Sequence, residues 1–110
     1  VSITPTNYSS ILLVETELTL SNTIGALTAT SLYQDSTADA LRTCAEFIIA
    51  STITTVRCAY EMTAGTTSST TFKVRSGMTS AGTLYFNSYA GTGYFGDATI
   101  SWIRVTELQP

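Results

Sequence analysis

Glu15 and Glu17 stand two residues apart, so in an extended strand both carboxylates fall on one face. A carboxylate pair is the arrangement that glycoside cleavage uses. It is equally what a solvated or interfacial strand face looks like, and that second reading is preferred. Asp35 and Asp39 bracket a short polar segment and could offer oxygens to a calcium ion. Calcium takes about six to eight oxygens at ordered spacing, and no D-x-D-x-D-G pattern is present, so both are read as turn-forming aspartates. Lys73 is the one lysine; it alternates with Phe72 and Val74 and is expected to face solvent or an interface. The chain has no histidine. That removes the commonest general base, the His-activated serine and the usual metal ligand. No catalytic residue, metal ligand or cofactor site is therefore expected.

Two further groups could act without acid–base chemistry. Cys44 and Cys58, with no histidine beside them, do not make a structural zinc site. They are read first as small buried apolar side chains. A disulfide stays open, because sequence does not supply the Cα separation that a bridge needs. The segment Gly91 to Asp97, GTGYFGD, is glycine-rich but lacks the lysine and the following helix of a phosphate loop. Tyr85, Tyr89, Tyr94 and Phe95 gather around it. Packing inside a sandwich or between subunits is the preferred reading of these rings. Contact with a protein or sugar ligand is the alternative, and Tyr89, Tyr94 and Phe95 are its candidates.

The elements that must position these residues are short β-like runs separated by Ser, Thr, Gly and Asp clusters, a spacing that favours a sandwich or barrel. A brief leading strand ends at Pro5. Ser10 to Ser21 is the cleanest strand, with Leu12, Val14, Leu18 and Leu20 on one face. Ile11 and Leu13 break the polarity of the other. A turn at 21–25 offers Asn22 and Gly25 for positive φ. Strands are expected over Ala26 to Gln34, around Phe47 to Ile49, over Thr52 to Met62, Thr70 to Ser76 and Thr83 to Ser88, and from Asp97 to Leu108. The segment 38–45 could form a helical turn, but a loop leading into a strand is preferred. The total is seven or eight strands, with no repeat and no linker.

In the closing strand, Ala98, Ile100 and Trp102 fall on one face while Ile103 and Val105 fall on the other. A half-buried strand should show one apolar face. Either a β-bulge shifts the phase near Trp102, or both faces are covered. The expectation is that Ile100 and Trp102 face the interior. Ile103 and Val105, with Ile11 and Leu13, would then meet another subunit.

At 110 residues the chain makes one domain, and 44% hydrophobic content supplies a core. Charged residues are only 12%, about half the usual share, whereas Ser and Thr are roughly a third of the chain. A free monomer usually keeps more charge. The formal net charge is −3 and the five cations are scattered, which argues against a nucleic-acid partner. No apolar run reaches the length of a membrane span. No secretory signal is visible. As the chain begins at Val1, an initiator Met or a longer N-terminal segment is read as removed.

Five stretches, taken in order, carry a likeness to a known family: Ile3-Thr4-Pro5 with Ile11 to Val14, Ser31 to Thr37, Thr70 to Gly77, Thr83 to Asn87, and Ala98 to Leu108. Together they resemble a small β domain common in tail-fibre, head-fibre and other structural proteins of tailed bacteriophages. The likeness spans nearly the whole chain; each motif is a generic strand, and their order carries it. The resemblance implies an antiparallel jelly roll similar to tumour-necrosis-factor-like knobs, assembled as a homotrimer. It implies a non-enzymatic role as a fibre knob or capsid decoration, or alternatively a carbohydrate- or receptor-binding adhesin for host attachment. The implied partners are other copies of the chain, further virion proteins and a host-surface glycan or receptor. The implied location is the virion, assembled in the host cytoplasm. No shared catalytic residue carries over. Trp102, Cys44 and Cys58 depart from the family pattern, and Trp102 is expected in the core or on a three-fold axis.

Overall fold

A computed structural model describes residues 1–89, 91–93 and 95–110. Eight strands follow from the alternating pattern: β1 (Ser2–Ile3), β2 (Ile11–Asn22), β3 (Ala26–Gln34), β4 (Arg42–Ile48), β5 (Thr54–Thr63), β6 (Thr70–Met78), β7 (Leu84–Phe86) and β8 (Trp102–Leu108). A 3₁₀ turn, Phe95–Asp97, lies between β7 and β8. The strands form two four-stranded antiparallel sheets, arranged as a β-sandwich. One sheet has the order β1-β6-β3-β4. In the other, β5 flanks one side of β2, while β7 and β8 share the opposite side.

Both sheets contribute to one interior. Leu12, Val14 and Cys58 from one meet Leu32 and Phe72 from the other. Leu18, Leu20 and Val56 meet Ile48 in an adjoining cluster. The period of two is visible in β2, where Leu12, Val14, Thr16 and Leu18 are buried while Ile11, Leu13, Glu15 and Glu17 alternate with them at partial exposure. The threonine-rich composition also reaches inward. Thr28, Thr30 and Thr70 are buried in the sheet of β3 and β6. Each threonine hydroxyl finds a partner: Thr28 donates to the Ala26 carbonyl, Thr30 bonds the Ser76 hydroxyl, and Thr70 donates to Asp35 Oδ2. Satisfied in this way, a β-branched hydroxyl residue packs inside a sheet at little cost.

β2 changes partners along its length. It pairs with β8 from Ile11 to Glu17 and with β7 from Leu20 to Asn22. In the gap, Thr19 is served by other groups. Its N–H donates to Ser101 Oγ, its carbonyl accepts from Asn87 N–H, and its hydroxyl donates to Ile100 O. Ser101 Oγ in turn donates to Asn87 Oδ1 at 2.6 Å. These bonds stand in for ladder bonds. They explain why the last strand begins at Trp102 and not at Asp97. From Trp102 to Leu108 its register against β2 runs without a skipped residue, so the ladder contains no bulge.

That register reverses the expected facing of β8. Val105 lies opposite Val14, and Ile103 opposite Thr16, both on the buried side of β2. Ile103 and Val105 accordingly pack against the core. Trp102 lies opposite Glu17 on the outer face, and Ile100, before the strand starts, is 62% exposed. The placement of Ile103 and Val105 outward, and of Trp102 and Ile100 inward, is therefore corrected. Neither a bulge nor a covering subunit is needed to explain the strand. Its two apolar faces resolve into an inward β-branched pair and an outward indole.

The cysteines pack at the core, Cys58 buried and Cys44 half-buried against it, and the disulfide left open by the sequence is present. Cys44 on β4 and Cys58 on β5 form a disulfide, with Cα atoms 5.7 Å apart. Since β4 and β5 edge different sheets, the bond staples the sandwich together along one side. Two turn details differ from expectation as well. β6 runs on through Gly77 to Met78. Asn22 stays in β2 as a buried bracket, donating to Ile48 O and accepting from Gly25 N–H; Gly25 alone takes the positive φ there.

Candidate functional site

The outer face of the β5-β2-β8 sheet gathers the carboxylates that suggested acid–base chemistry. Glu15 and Glu17 share this face, as their spacing requires, and each meets an arginine from a different neighbouring strand. Glu15 pairs with Arg104 of β8 at 3.0 Å, and Glu17 with Arg57 of β5 at 2.8 Å. Arg104 also lies over the Trp102 ring, 5.0 Å from its centroid. The result is an ion-pair ladder running across three strands, with the indole at its end. A hollow of about 310 Å³ lies here, bordered by Glu15, Arg57, Ala59 and Trp102. Arg42 of β4 reaches this side and donates to Ala59 O at 2.6 Å. Leu13 and Glu61 continue the same face. Ile11 and Leu13 are partly exposed on it, on the side where an outer contact was expected of them.

Asp35 has a structural post. Its two carboxylate oxygens accept from Thr71 N–H and Thr70 Oγ1, and its carbonyl accepts from Lys73 Nζ at 2.8 Å. The residue holds φ 49°, a conformation that Asp tolerates better than most side chains. It therefore clips the 34–37 turn onto β6, whereas Asp39 lies exposed in the following loop. Among the described residues no group of three or more Cys, Asp or Glu converges as metal ligands would.

The outer face of the other sheet went unremarked in the sequence reading. Leu27 of β3 and Phe47 of β4 are direct cross-strand partners, 44% and 62% exposed. The next outward row holds Gly77, Ala29 and Ala45 side by side across β6, β3 and β4. Beyond it come Arg75, Ser31 and Thr43, then Lys73 and Tyr33. Arg75 lies over the Tyr33 ring, 5.1 Å from its centroid. A groove of about 390 Å³ follows these rows from Leu27 to Tyr33. A smaller polar hollow beside Tyr33, Asp35 and Lys73 continues it. The signal in the sequence was the odd-numbered set of β3, with Leu27 and Tyr33 at its two ends. Without the pairing to β4 and β6, the rows could not be assembled.

The loop between β7 and β8 holds the aromatic candidates. Phe95 is 83% exposed and sits at φ 56°; a bulky side chain at positive φ is strained. Tyr89 is 38% exposed and forms a small bridge with Thr92. Tyr94 lies outside the described residues. Tyr85 is half-buried against the Gly91 backbone. The structure thus keeps Phe95 out of the sandwich interior and turned to the surface of the chain, and leaves Tyr89 at the margin.

One acidic group has a shifted titration. Glu107 of β8 anchors the N-terminal segment, accepting from Thr6 N–H and Oγ1 at 2.9 Å and from Asn7 N–H at 3.3 Å. The Ser10 hydroxyl is the strongest influence holding its carboxyl below the ordinary 4.5, followed by the Thr6 and Asn7 donors and opposed by partial desolvation. Ser10 Oγ is itself buried and has no partner of strict hydrogen-bond geometry among the described residues.

No protein-family model matches the chain, and no curated protein shows significant similarity to it.

Proposed function

We propose that this chain is a non-catalytic virion structural protein of a tailed bacteriophage, acting as a homotrimeric jelly-roll knob on a fibre or capsid. The observation that carries the proposal is the apolar surface left after the core is filled. Leu27, Phe47 and Ile49 are 44%, 62% and 65% exposed in a chain with only 12% charged residues. Such surface is a liability for a free monomer and an asset for a packed assembly. The carboxylates that could have worked as acid and base are instead engaged with arginines and backbone donors. The Cys44–Cys58 bond adds support for a role outside reducing cytosol, since disulfides persist in oxidising settings such as virion surfaces. The order of the strand motifs supplies the phage context.

Sedimentation at micromolar concentration tests the assembly, with a mass of three chains expected; a stable monomer would overturn it. Density for the domain in intact particles, sought by electron microscopy, tests the location.

A second reading, an adhesin knob, is favoured by one feature. Phe95 projects almost fully from the β7–β8 loop on a strained backbone, and exposed strain of this kind is found at ligand-contacting loops. A glycan or receptor array should then give a signal that Phe95→Ala abolishes. Silence across the array would remove this reading.

A further inference from the structure

Ala59 leaves a hollow in an otherwise crowded face. It points outward from β5, opposite Glu15 of β2, which in turn lies opposite Arg104 of β8. Long side chains stand around its single methyl: Glu15 and Arg57 on the sheet, Trp102 from β8, and Arg42 reaching over from β4 of the other sheet. The space between them is about 310 Å³, at the small end of the range for small-molecule sites.

The groups around this space are held before any ligand arrives. Glu15 is fixed by Arg104, and Glu17 by Arg57. Arg104 is stacked on the Trp102 ring but does not border the hollow, so part of the half-buried indole stays open to it. Arg42 donates one guanidinium N–H to Ala59 O and makes no ion pair among the described residues, which leaves donors of its fork for a ligand. Two residues along β4, Cys44 is bonded to Cys58, the chain neighbour of Ala59. The disulfide therefore fixes the strand from which Arg42 reaches.

The chemistry around the hollow selects the ligand. Carboxylate oxygens accept, guanidinium N–H groups donate, and in an ion pair the two stand side by side. Adjacent hydroxyls, each both donor and acceptor, match that alternation. The indole adds an apolar surface and one N–H donor. The three arginines here are matched by Glu15, Glu17 and Glu61, the last beside Arg42 at the adjoining hollow, so no excess charge draws an ion. A pyranose sugar combines these properties: it is neutral, has neighbouring hydroxyls along its rim and carries C–H groups on its face.

We infer that this hollow is a binding site for a neutral pyranose. The indole meets the C–H face, Glu15 accepts from one hydroxyl, and Arg42 and Arg57 donate to its neighbours. The disulfide positions the site by holding β4, and with it Arg42, across β5. The site lies on the β5-β2-β8 sheet and depends neither on the trimer nor on Phe95.

Trp102 is the single tryptophan, so its emission reports on this hollow alone. The whole chain is titrated with the methyl glycosides of glucose, galactose and mannose, and with glucuronate for contrast. At least one neutral sugar should give a saturable emission change, with a dissociation constant on the order of millimolar, as a small open site allows. Ala59→Leu fills the hollow without removing a polar group. It and Arg42→Ala should each weaken binding by about tenfold or more, with circular dichroism following the fold. Ala59 is half-exposed on the outer face, so Ala59→Leu remains informative should Arg42→Ala misfold. Cys44→Ala with Cys58→Ala should weaken binding several-fold. No response to any neutral sugar, or a response that Ala59→Leu and Arg42→Ala leave untouched, would overturn the site. A response abolished by Phe95→Ala but kept by Ala59→Leu belongs to the β7–β8 loop and would overturn it equally. Tighter binding of glucuronate would overturn the neutral class. Unchanged affinity in the double cysteine variant would overturn the positioning role of the disulfide.

Discussion

Trp102 lies opposite Glu17 in the β2–β8 ladder, and this one register places the indole outside the sandwich and Ile103 and Val105 inside it. Shifting the pairing by one residue would exchange the two faces. The register is held by Thr16, whose buried hydroxyl donates to Trp102 O at 2.9 Å. It is held equally by Ser101, which ends the ladder by bonding Thr19 and Asn87.

The facing of β8 predicts an order of mutational costs. Ile103→Ala should destabilise by about 2–3 kcal/mol, at the lower end for deletion of a core side chain because the site is partly exposed. Trp102→Ala should cost about 1 kcal/mol, chiefly the stacking of Arg104 on a half-buried ring of the outer face. Urea denaturation of both variants checks the order. A costlier Trp102→Ala would mean that the opposite face is buried.

The disulfide predicts a redox-dependent stability. It joins residues 14 apart in sequence, and closing a loop of that size is worth about 3 kcal/mol by the chain-entropy argument. Cys44→Ala with Cys58→Ala should lower unfolding free energy by about that amount. Thiol titration of the native protein should find no free thiol until a reductant is added. Two reactive thiols in the untreated protein would contradict the bond.

Glu107 predicts an acid-sensitive anchor. Its folded carboxyl titrates below the ordinary 4.5, so the carboxylate form is favoured by folding. Its contribution is fully present above the unfolded value and is lost as pH falls through the lower folded one. Wild type and Glu107→Gln should therefore differ in stability at neutral pH and converge on acidification below about 4.5. Amide exchange at Thr6 and Asn7, whose N–H groups bond Glu107, should rise in the variant. A stability difference independent of pH would refute the role.

Asn22 predicts a local cost at the β2–β3 turn. Its buried amide bonds both Ile48 O and Gly25 N–H. Asn22→Ala leaves a buried carbonyl and a turn amide unpaired, and should cost about 2–3 kcal/mol. Thermal melts of Asn22→Ala against the wild type give the comparison.

The sequence was most legible where one strand face is apolar without interruption. Leu12 to Leu20, Val56 to Met62, and Phe72 with Val74 each show the period of two, and each lies in a strand near the expected bounds. Glu15 and Glu17 were legible as same-face neighbours, but their arginine partners come from other strands, 89 and 40 residues away for the Glu15–Arg104 and Glu17–Arg57 pairs. The closing strand misled because apolar residues occupy both parities. Alternation alone cannot say which parity faces inward when one of the outward residues is a tryptophan lying under an arginine.

By itself, the sequence determined that this is an all-β chain of short strands with a threonine-rich, charge-poor composition, because period and turn chemistry are local properties. Only the tertiary structure decided that Cys44 meets Cys58, that Val105 lies beneath the sheet and Trp102 above it, and that Gly77, Ala29 and Ala45 form one row. Each of those depends on which strands lie side by side and in what register. Register is fixed by the summed burial of many residues and by bonds such as Thr16 to Trp102, and no single segment carries that information.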